Sequence, residues 1–251
     1  MRSARDVRAE VSTPGNARCL AHGAAPATAS CHRTVLSLRV LACAVVAMTL
    51  TATGVVAYQQ MHAARSALAE TLPGPVDVGF AQFMGLHHQQ AIGMSQLLLD
   101  GRPTRLAGLA RSIAGAQLLE LGEMQGWLRL WGKPLLPATR NMSWMLSGDA
   151  PPDPQLSRYL LDCQRSATGM VGLASDAELN RLRELEGRAR DEHFLKLMLA
   201  HHEGGVPMAR LAAQRAQLPA VRDLATRIIL DQSREIAQIQ LMLAALPTAA
   251  D

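Results

Sequence analysis

An internal duplication is the feature that most restricts the fold of this chain. Residues 77–94 and residues 191–208 share one pattern, offset by 114 positions throughout. Each copy contains an aspartate, a phenylalanine, a methionine, a His-His pair and a second methionine. The duplicated positions are Asp77, Phe80, Met84, His87, His88 and Met94, then Asp191, Phe194, Met198, His201, His202 and Met208. Such a duplication predicts a fold built from two copies of one supersecondary unit.

Each copy has the periodicity of a helical hairpin. Apolar residues recur at helical spacing in four stripes, over residues 80–98, 106–131, 194–211 and 221–246. Gly101-Arg102-Pro103 separates the first two stripes, and Pro219 marks the turn in the second pair. Neither hairpin can bury its apolar face alone. The pattern therefore predicts an all-α, ferritin-like four-helix bundle, with residues 133–188 as the crossover. A capping box from Ser175 to Glu178 predicts a short helix within that crossover, reaching about Glu186.

The N-terminal part differs in charge and hydropathy. Residues 1–39 carry six arginines and two acids, whereas the other 212 residues carry 19 basic and 19 acidic side chains. Residues 40–58 contain no charge and are long enough to cross a bilayer as a helix. The predicted domains are a disordered basic cytoplasmic tail (1–39), a transmembrane signal anchor (40–58), a linker (59–76) and the duplicated bundle (77–251). The positive-inside rule places the bundle outside the cytoplasm. A cleaved signal peptide, giving a secreted protein, is the alternative.

Charge, cysteine content and motifs narrow the function classes. The bundle is neutral overall, which argues against a nucleic-acid partner. Cys163 is its only cysteine, so an internal disulfide is not expected there. The sequence contains no nucleophile motif or phosphate-binding loop, and it has no Glu-x-x-His of the kind that di-iron bundles use. We therefore expect a non-enzymatic protein; an oxidoreductase that uses a bound metal is a weaker reading.

The duplicated polar residues lie on the apolar stripes, where an unpaired polar group is costly. Imidazole and thioether without thiolate suit copper, and thioethers favour Cu(I). The predicted metal ligands are Met84, His87, His88, Met94, Met198, His201, His202 and Met208. Gln117, Glu120, Gln232 and Glu235 would support them from the neighbouring helices. The alternative is a structural or interaction module in which these His, Gln and Glu side chains form only a hydrogen-bond network.

The duplicated stretches resemble the DUF305 family. They read FAQFMGLHHQQAIGMSQ with QLLE, and FLKLMLAHHEGGVPMAR with QSRE, within residues 77–131 and 191–246. The resemblance implies an exported or membrane-anchored bacterial protein with a ferritin-like bundle, and some members resemble copper-binding envelope proteins. It also implies the same eight ligand candidates. Two departures stand in the second copy. Gly204 and Gly205 replace helix-favouring residues, with Gly205 at the position of Ala91, and Pro207 predicts a kink in the third helix of the bundle.

Overall fold

All regular structure in the described part of the chain is helical. The computed structural model describes residues 28–69, 71–148 and 151–246. The chain divides into two units, residues 1–62 and residues 63–251. Over the described residues the α-helices are α1 (Thr28–Ala69), α2 (Pro75–Leu98), α3 (Ala107–Leu130), α4 (Pro154–Arg165), α5 (Asp176–Glu184), α6 (Gly187–Arg215) and α7 (Pro219–Ala244). The predicted all-α class is confirmed.

Helix α1 is longer than the membrane span that the sequence predicts. Its residues 36–68 contain an 18-residue window with a mean hydropathy of 2.2, so that this part of the helix is long and apolar enough to cross a membrane. Residues 28–39 and 59–69, which the sequence assigns to the tail and the linker, are helical as well. Between Pro26 and Pro73 the sequence has no other proline and a single glycine, so nothing interrupts the helix there. The rest of the predicted tail, residues 1–27, lies outside the described residues, and the domain boundaries stay a prediction.

Two hairpins, α2–α3 and α6–α7, form the bundle. Helices α2 and α7 both begin with a proline, whose fixed φ suits the first helical position. The turn after α2 contains Gly101 at a φ of 97°, a conformation that residues with a side chain rarely adopt. Helix α2 also packs against α6, which joins the two hairpins. The four-helix bundle expected from the duplication is confirmed.

A pair of equivalent aspartates fixes the two hairpins against each other. The buried Asp77 of α2 accepts hydrogen bonds from the backbone N–H groups of Gln217 (3.0 Å) and Leu218 (2.9 Å) in the α6–α7 turn. It also accepts one from Gly74, at 2.9 Å. Asp191 of α6 accepts bonds from the Thr104 hydroxyl (2.6 Å) and the Arg105 N–H (3.2 Å) in the α2–α3 turn. Each aspartate thus holds the turn of the opposite hairpin, and α2 runs antiparallel to α6.

The crossover between the hairpins is more ordered than its sequence suggests. It contains a 3₁₀ turn at Ser143–Leu146, helix α4, and helix α5 with the predicted capping box at Ser175. Its residues 171–174 lie between α2 and α6. On the α2 side, the Gln90 side-chain amide donates to the Ala174 carbonyl (2.8 Å) and accepts from its N–H (2.7 Å).

On the α6 side, the same crossover segment makes a contact between two backbones. A Cβ added to Gly204 would lie 2.2 Å from the carbonyl oxygen of Val171, and one added to Gly172 would lie 2.3 Å from that of Ala200. Tyr159 of α4 donates its hydroxyl to the Gly204 carbonyl at 2.9 Å. Glycine at position 204 is therefore required by the crossover, although it weakens the helix locally. Helix α6 itself continues through Pro207 to Arg215.

Candidate metal centre

The four histidines of the duplicated pairs meet between α2 and α6, and none of their side chains is exposed to solvent. The rings of His87 and His201 lie 3.7 Å apart between centroids, at an interplanar angle of 33°. His202 lies next to this pair, with its ring centroid 5.9 Å from that of His201. The duplicated His-His motifs thus form one buried layer, which we call the histidine layer (His87, His88, His201 and His202).

Hydrogen bonds fix which nitrogen carries the proton in three of these rings. Nε2 of His201 lies 2.9 Å from the backbone oxygen of His87. A carbonyl oxygen only accepts, so the Nε2–H of His201 must be the donor. Nε2 of His88 lies 2.7 Å from Glu120, and Nε2 of His202 lies 2.5 Å from Glu235. An ionised carboxylate only accepts, so the Nε2–H group is the donor in these two bonds as well. In all three rings Nδ1 then keeps its lone pair in the neutral imidazole.

The Nδ1 atoms of all four histidines are buried and have no hydrogen-bond partner, and in His87 the same is true of Nε2. Burial lowers the pKa of His87 well below its usual value, and the neighbouring His201, His88 and His202 lower it further. Burial also lowers the pKa of His201, with a further contribution from His202. Both rings are therefore neutral near pH 7, which is the state that binds metal ions.

Two glutamines add to the unpartnered polar groups. Gln117 of α3 and Gln232 of α7 are 3% exposed, and neither amide has a hydrogen-bond partner at its oxygen or its nitrogen. A buried polar group left without a partner costs about 1–3 kcal/mol. Nine such atoms on the six His and Gln side chains are more than a packed core ordinarily contains. Five of the nine atoms are imidazole nitrogens of the histidine layer, which is what we would expect of donor groups prepared for a ligand.

The four predicted methionine ligands are fully buried and lie on both sides of the histidine layer. Met84 and Met208 belong to one apolar cluster, and Met94 and Met198 belong to the other. Each cluster receives one methionine from α2 and one from α6 because the two helices are antiparallel. The duplication therefore places a thioether of each repeat at either end of the layer.

The His, Cys, Asp and Glu side chains alone do not form a metal site. Within the described part of the chain, no three of them are grouped so that they could hold a metal ion. A site at the histidine layer would have to use the thioethers as well. The sequence-predicted residues are thus brought to one region of the bundle, while their role as ligands stays a prediction.

Sequence reasoning did not find every residue that shapes this layer. A Cβ added to Gly205 would lie 3.0 Å from both Cε1 of His87 and Oε1 of Gln232. Gly205 thus leaves space for the His87 ring. The only signal in the sequence was its difference from Ala91 in the first copy. Asp77 and Asp191 were recognised as duplicated, yet their clamping role could not be deduced because it depends on the turn of the other hairpin.

Residues 77–243 match the family model for DUF305, a domain of unknown function. The chain belongs to the DUF305 family. A DUF305 protein from Streptomyces coelicolor, known from its crystal structure, is 34% identical to this chain, covering 67% of it and 92% of that protein, with a TM-score of 0.57. The crystal structure of a DUF305 fragment from Deinococcus radiodurans is 28% identical, covering 70% and 99%, with a TM-score of 0.53.

CopM in its Cu(I)-bound form is 26% identical to this chain and covers 67% of it and 95% of CopM, with a TM-score of 0.47. No curated protein matches the DUF305 chain described here. The resemblance inferred from the duplicated motif is therefore confirmed at the level of the family and of the helical fold.

Proposed function

We propose that this DUF305 protein binds copper, as Cu(I), at the histidine layer and acts in metal sequestration or handover in the bacterial cell envelope. The observation that carries the proposal is the set of buried Nδ1 atoms in His87, His88, His201 and His202, none of which has a hydrogen-bond partner. A buried nitrogen lone pair that makes no hydrogen bond within the protein is available to a metal ion.

The donor types favour copper over the other metals. The candidate ligands are the four imidazoles and the thioethers of Met84, Met94, Met198 and Met208. Soft thioether donors select Cu(I), whereas zinc sites more often contain thiolate or carboxylate ligands. Copper is therefore the metal that the donor set of this chain favours.

Glu120 and Glu235 would orient the ligands. Each carboxylate accepts a bond from the Nε2–H of one histidine, His88 or His202, and is itself slightly exposed, at 13% and 18% of its side-chain surface. Carboxylates in this position fix the tautomer and the ring orientation of a metal-binding histidine. Gln117 and Gln232 would support the layer from α3 and α7.

The N-terminal helix supports a location at the cell membrane. Residues 40–58 carry no charge and lie in a helix that is long and apolar enough to span a bilayer, and arginines precede them. We propose a single-pass anchor with the bundle on the extracytoplasmic side, following the positive-inside rule. Secretion after signal cleavage is the alternative.

A structural role is the competing proposal, and one observation favours it. His88, His202 and His201 each have one hydrogen-bond acceptor within the protein, as in a core that uses polar groups to fix helix register. In that case no metal ion raises the melting temperature, and His201→Gln destabilises the protein to the same extent with and without metal.

A Cu(I) titration against a competing chelator, combined with thermal unfolding, separates the two proposals. A ligand that binds only the native state at 100 times its Kd stabilises the protein by about 2.7 kcal/mol. We expect Cu(I) to raise the melting temperature more than Zn(II) or Ni(II) does. His87→Ala with His88→Ala should remove part of the bound copper, whereas His193→Ala, outside the layer, should remove none. Unchanged stoichiometry in the double variant would exclude the first His-His pair as ligands.

A further inference from the structure

The end of the bundle at which α3 finishes carries an exposed apolar and basic surface. We call it the α3-end patch, and it consists of Leu130, Trp131, Lys133, Leu135, Leu136 and Arg140. Leu130 is 82% exposed, Leu136 56% and Leu135 36%. Trp131 is partly buried and stacks on Trp127, with ring centroids 6.0 Å apart. Neighbouring large apolar side chains left this exposed on one end of a domain usually mark a contact surface.

The segment that forms this patch carries charge of one sign. Residues 124–148 contain Arg129, Lys133 and Arg140 and no acidic residue. The rest of the bundle has basic and acidic side chains in nearly equal number. Leucine and tryptophan next to arginine and lysine form the combination that binds the interface of a bilayer containing anionic lipids.

The patch lies at the same end of the bundle as the N-terminus of α2. The Gln82 side chain of α2 donates to the backbone oxygens of Pro134 at 2.8 Å and Leu136 at 3.4 Å. Pro73, Gly74 and Pro75 share one cleft with Lys133, Pro137 and Trp144. The chain therefore enters the bundle beside the patch.

The connection to the apolar helix is short. Helix α1 ends at Ala69 and α2 begins at Pro75, so that only residues 70–74 separate them. Even fully extended, a segment of this length spans only about 20 Å. If α1 crosses a bilayer with its uncharged residues 40–58, residues 59–69 add about 16 Å of helix to this segment. The tether is then about 36 Å at most, which keeps the patch within reach of the lipid headgroups.

We infer that the α3-end patch docks the bundle onto the surface of the membrane in which α1 is anchored, with anionic lipid headgroups as its partner. The leucines and Trp131 enter the interfacial region, and Lys133 and Arg140 contact the headgroups. The inference rests on the proposed membrane anchor. Docking gives the bundle one orientation, with the α6–α7 turn near the lipid and the α2–α3 turn away from it.

The full chain, reconstituted in vesicles of phosphatidylcholine with brominated phosphatidylglycerol, provides the test. Flotation with the vesicles reports the anchor, and quenching of tryptophan fluorescence by the bromine reports the docking. We expect both in the natural chain. Leu130→Glu with Lys133→Glu and Leu136→Glu should lose most of the quenching and still float. Leu119→Glu with Leu230→Glu changes exposed leucines on the sides of the bundle and should keep both signals.

Each other outcome contradicts a defined part of the inference. A chain that floats without quenching overturns docking and leaves the anchor intact. If such chains crosslink through the patch, its partner is a second copy instead. A chain that does not float overturns the anchor and the docking together. Equal quenching in the patch variant and the side variant also overturns docking, because it shows that the tether alone brings the tryptophans close to lipid.

Discussion

His87 and His201 occupy equivalent positions in the two repeats, yet only the ring of His201 is held in place by a hydrogen bond. His201 donates a hydrogen bond to the backbone of His87, whereas both nitrogens of His87 have no partner. Beside His87 the second repeat has Gly205, at the position that Ala91 occupies in the first. A duplicated sequence has thus produced one restrained imidazole and one that is limited only by packing. The two halves of the layer are chemically related and physically different.

The largest expected effect is a loss of stability when Asp77 or Asp191, each of which binds the turn of the opposite hairpin, is replaced. Asp77→Ala should leave three backbone N–H groups without an acceptor, and Asp191→Ala only one N–H and one hydroxyl. A hydrogen bond to a charged group contributes about 1.5–3 kcal/mol, but water can replace part of the loss because the turn is partly exposed. Asp77→Ala should therefore cost roughly 3–5 kcal/mol and Asp191→Ala less. Urea unfolding of both variants measures this. Equal losses would show that the two clamps are equivalent and that the asymmetry is confined to the histidine layer.

The second largest expected effect is a fall in the free energy of unfolding of the metal-free protein at acidic pH. The folded-state pKa values of His87 and His201 are lowered from 6.5, so the unfolded chain takes up protons that the folded protein resists. Stability is unaffected above about pH 7 and falls as the pH drops below 6.5. Two such groups contribute a slope of roughly 2–3 kcal/mol per pH unit. His87→Gln with His201→Gln should flatten the curve of unfolding free energy between pH 6.5 and 5. A curve that keeps its slope would mean that both rings are protonated in the folded state.

Exchanging the residues at 91 and 205 tests the packing of His87 directly. Gly205→Ala places a methyl group against the His87 ring, at a strain of about 1–3 kcal/mol that the better helix propensity of alanine offsets by about 1 kcal/mol. We expect little change in stability and a weaker affinity for Cu(I). Ala91→Gly should instead cost about 1 kcal/mol, through helix propensity, with the affinity retained. Calorimetric titration with Cu(I) measures the affinity of both variants. Equal affinities would show that the ring of His87 does not need the space that Gly205 leaves.

The smallest effects concern the crossover. Gln90 and Gly204 are equivalent positions in the duplication, and both contact residues 171–174. Gln90→Ala removes two hydrogen bonds and should cost about 1–2 kcal/mol, while Tyr159→Phe removes the single bond to Gly204 and should cost about 1 kcal/mol. Hydrogen exchange of the Ala174 amide should rise sharply only in Gln90→Ala. A similar rise in both variants would show that the crossover opens as one unit.

The periodicity of the sequence was sufficient for the hairpins and for placing Glu120 and Glu235 on the helices next to the histidines, because local helix geometry and the duplication determine them. It was insufficient for the features that depend on backbone segments far away in the sequence. The bond from His201 to the His87 carbonyl requires a specific register between α2 and α6. The need for glycine at 204 comes from a crossover whose path has no periodic signal, and Asp77 resembled an ordinary acidic residue in a first helical turn.

The crossover segment has a consequence for the origin of this protein. Two separate copies of one hairpin could pair about a two-fold axis, and their two histidine-bearing helices would then have identical surroundings. A single connecting segment placed between α2 and α6 is possible only after the two copies have been fused into one gene. This segment makes different contacts with the two helices. Gln90 of α2 binds that segment through side-chain hydrogen bonds, whereas Gly204 of α6 has no side chain and lets the backbone of the segment approach closely. Fusion thereby ended the symmetry of the pair and allowed His87 and His201 to be selected separately.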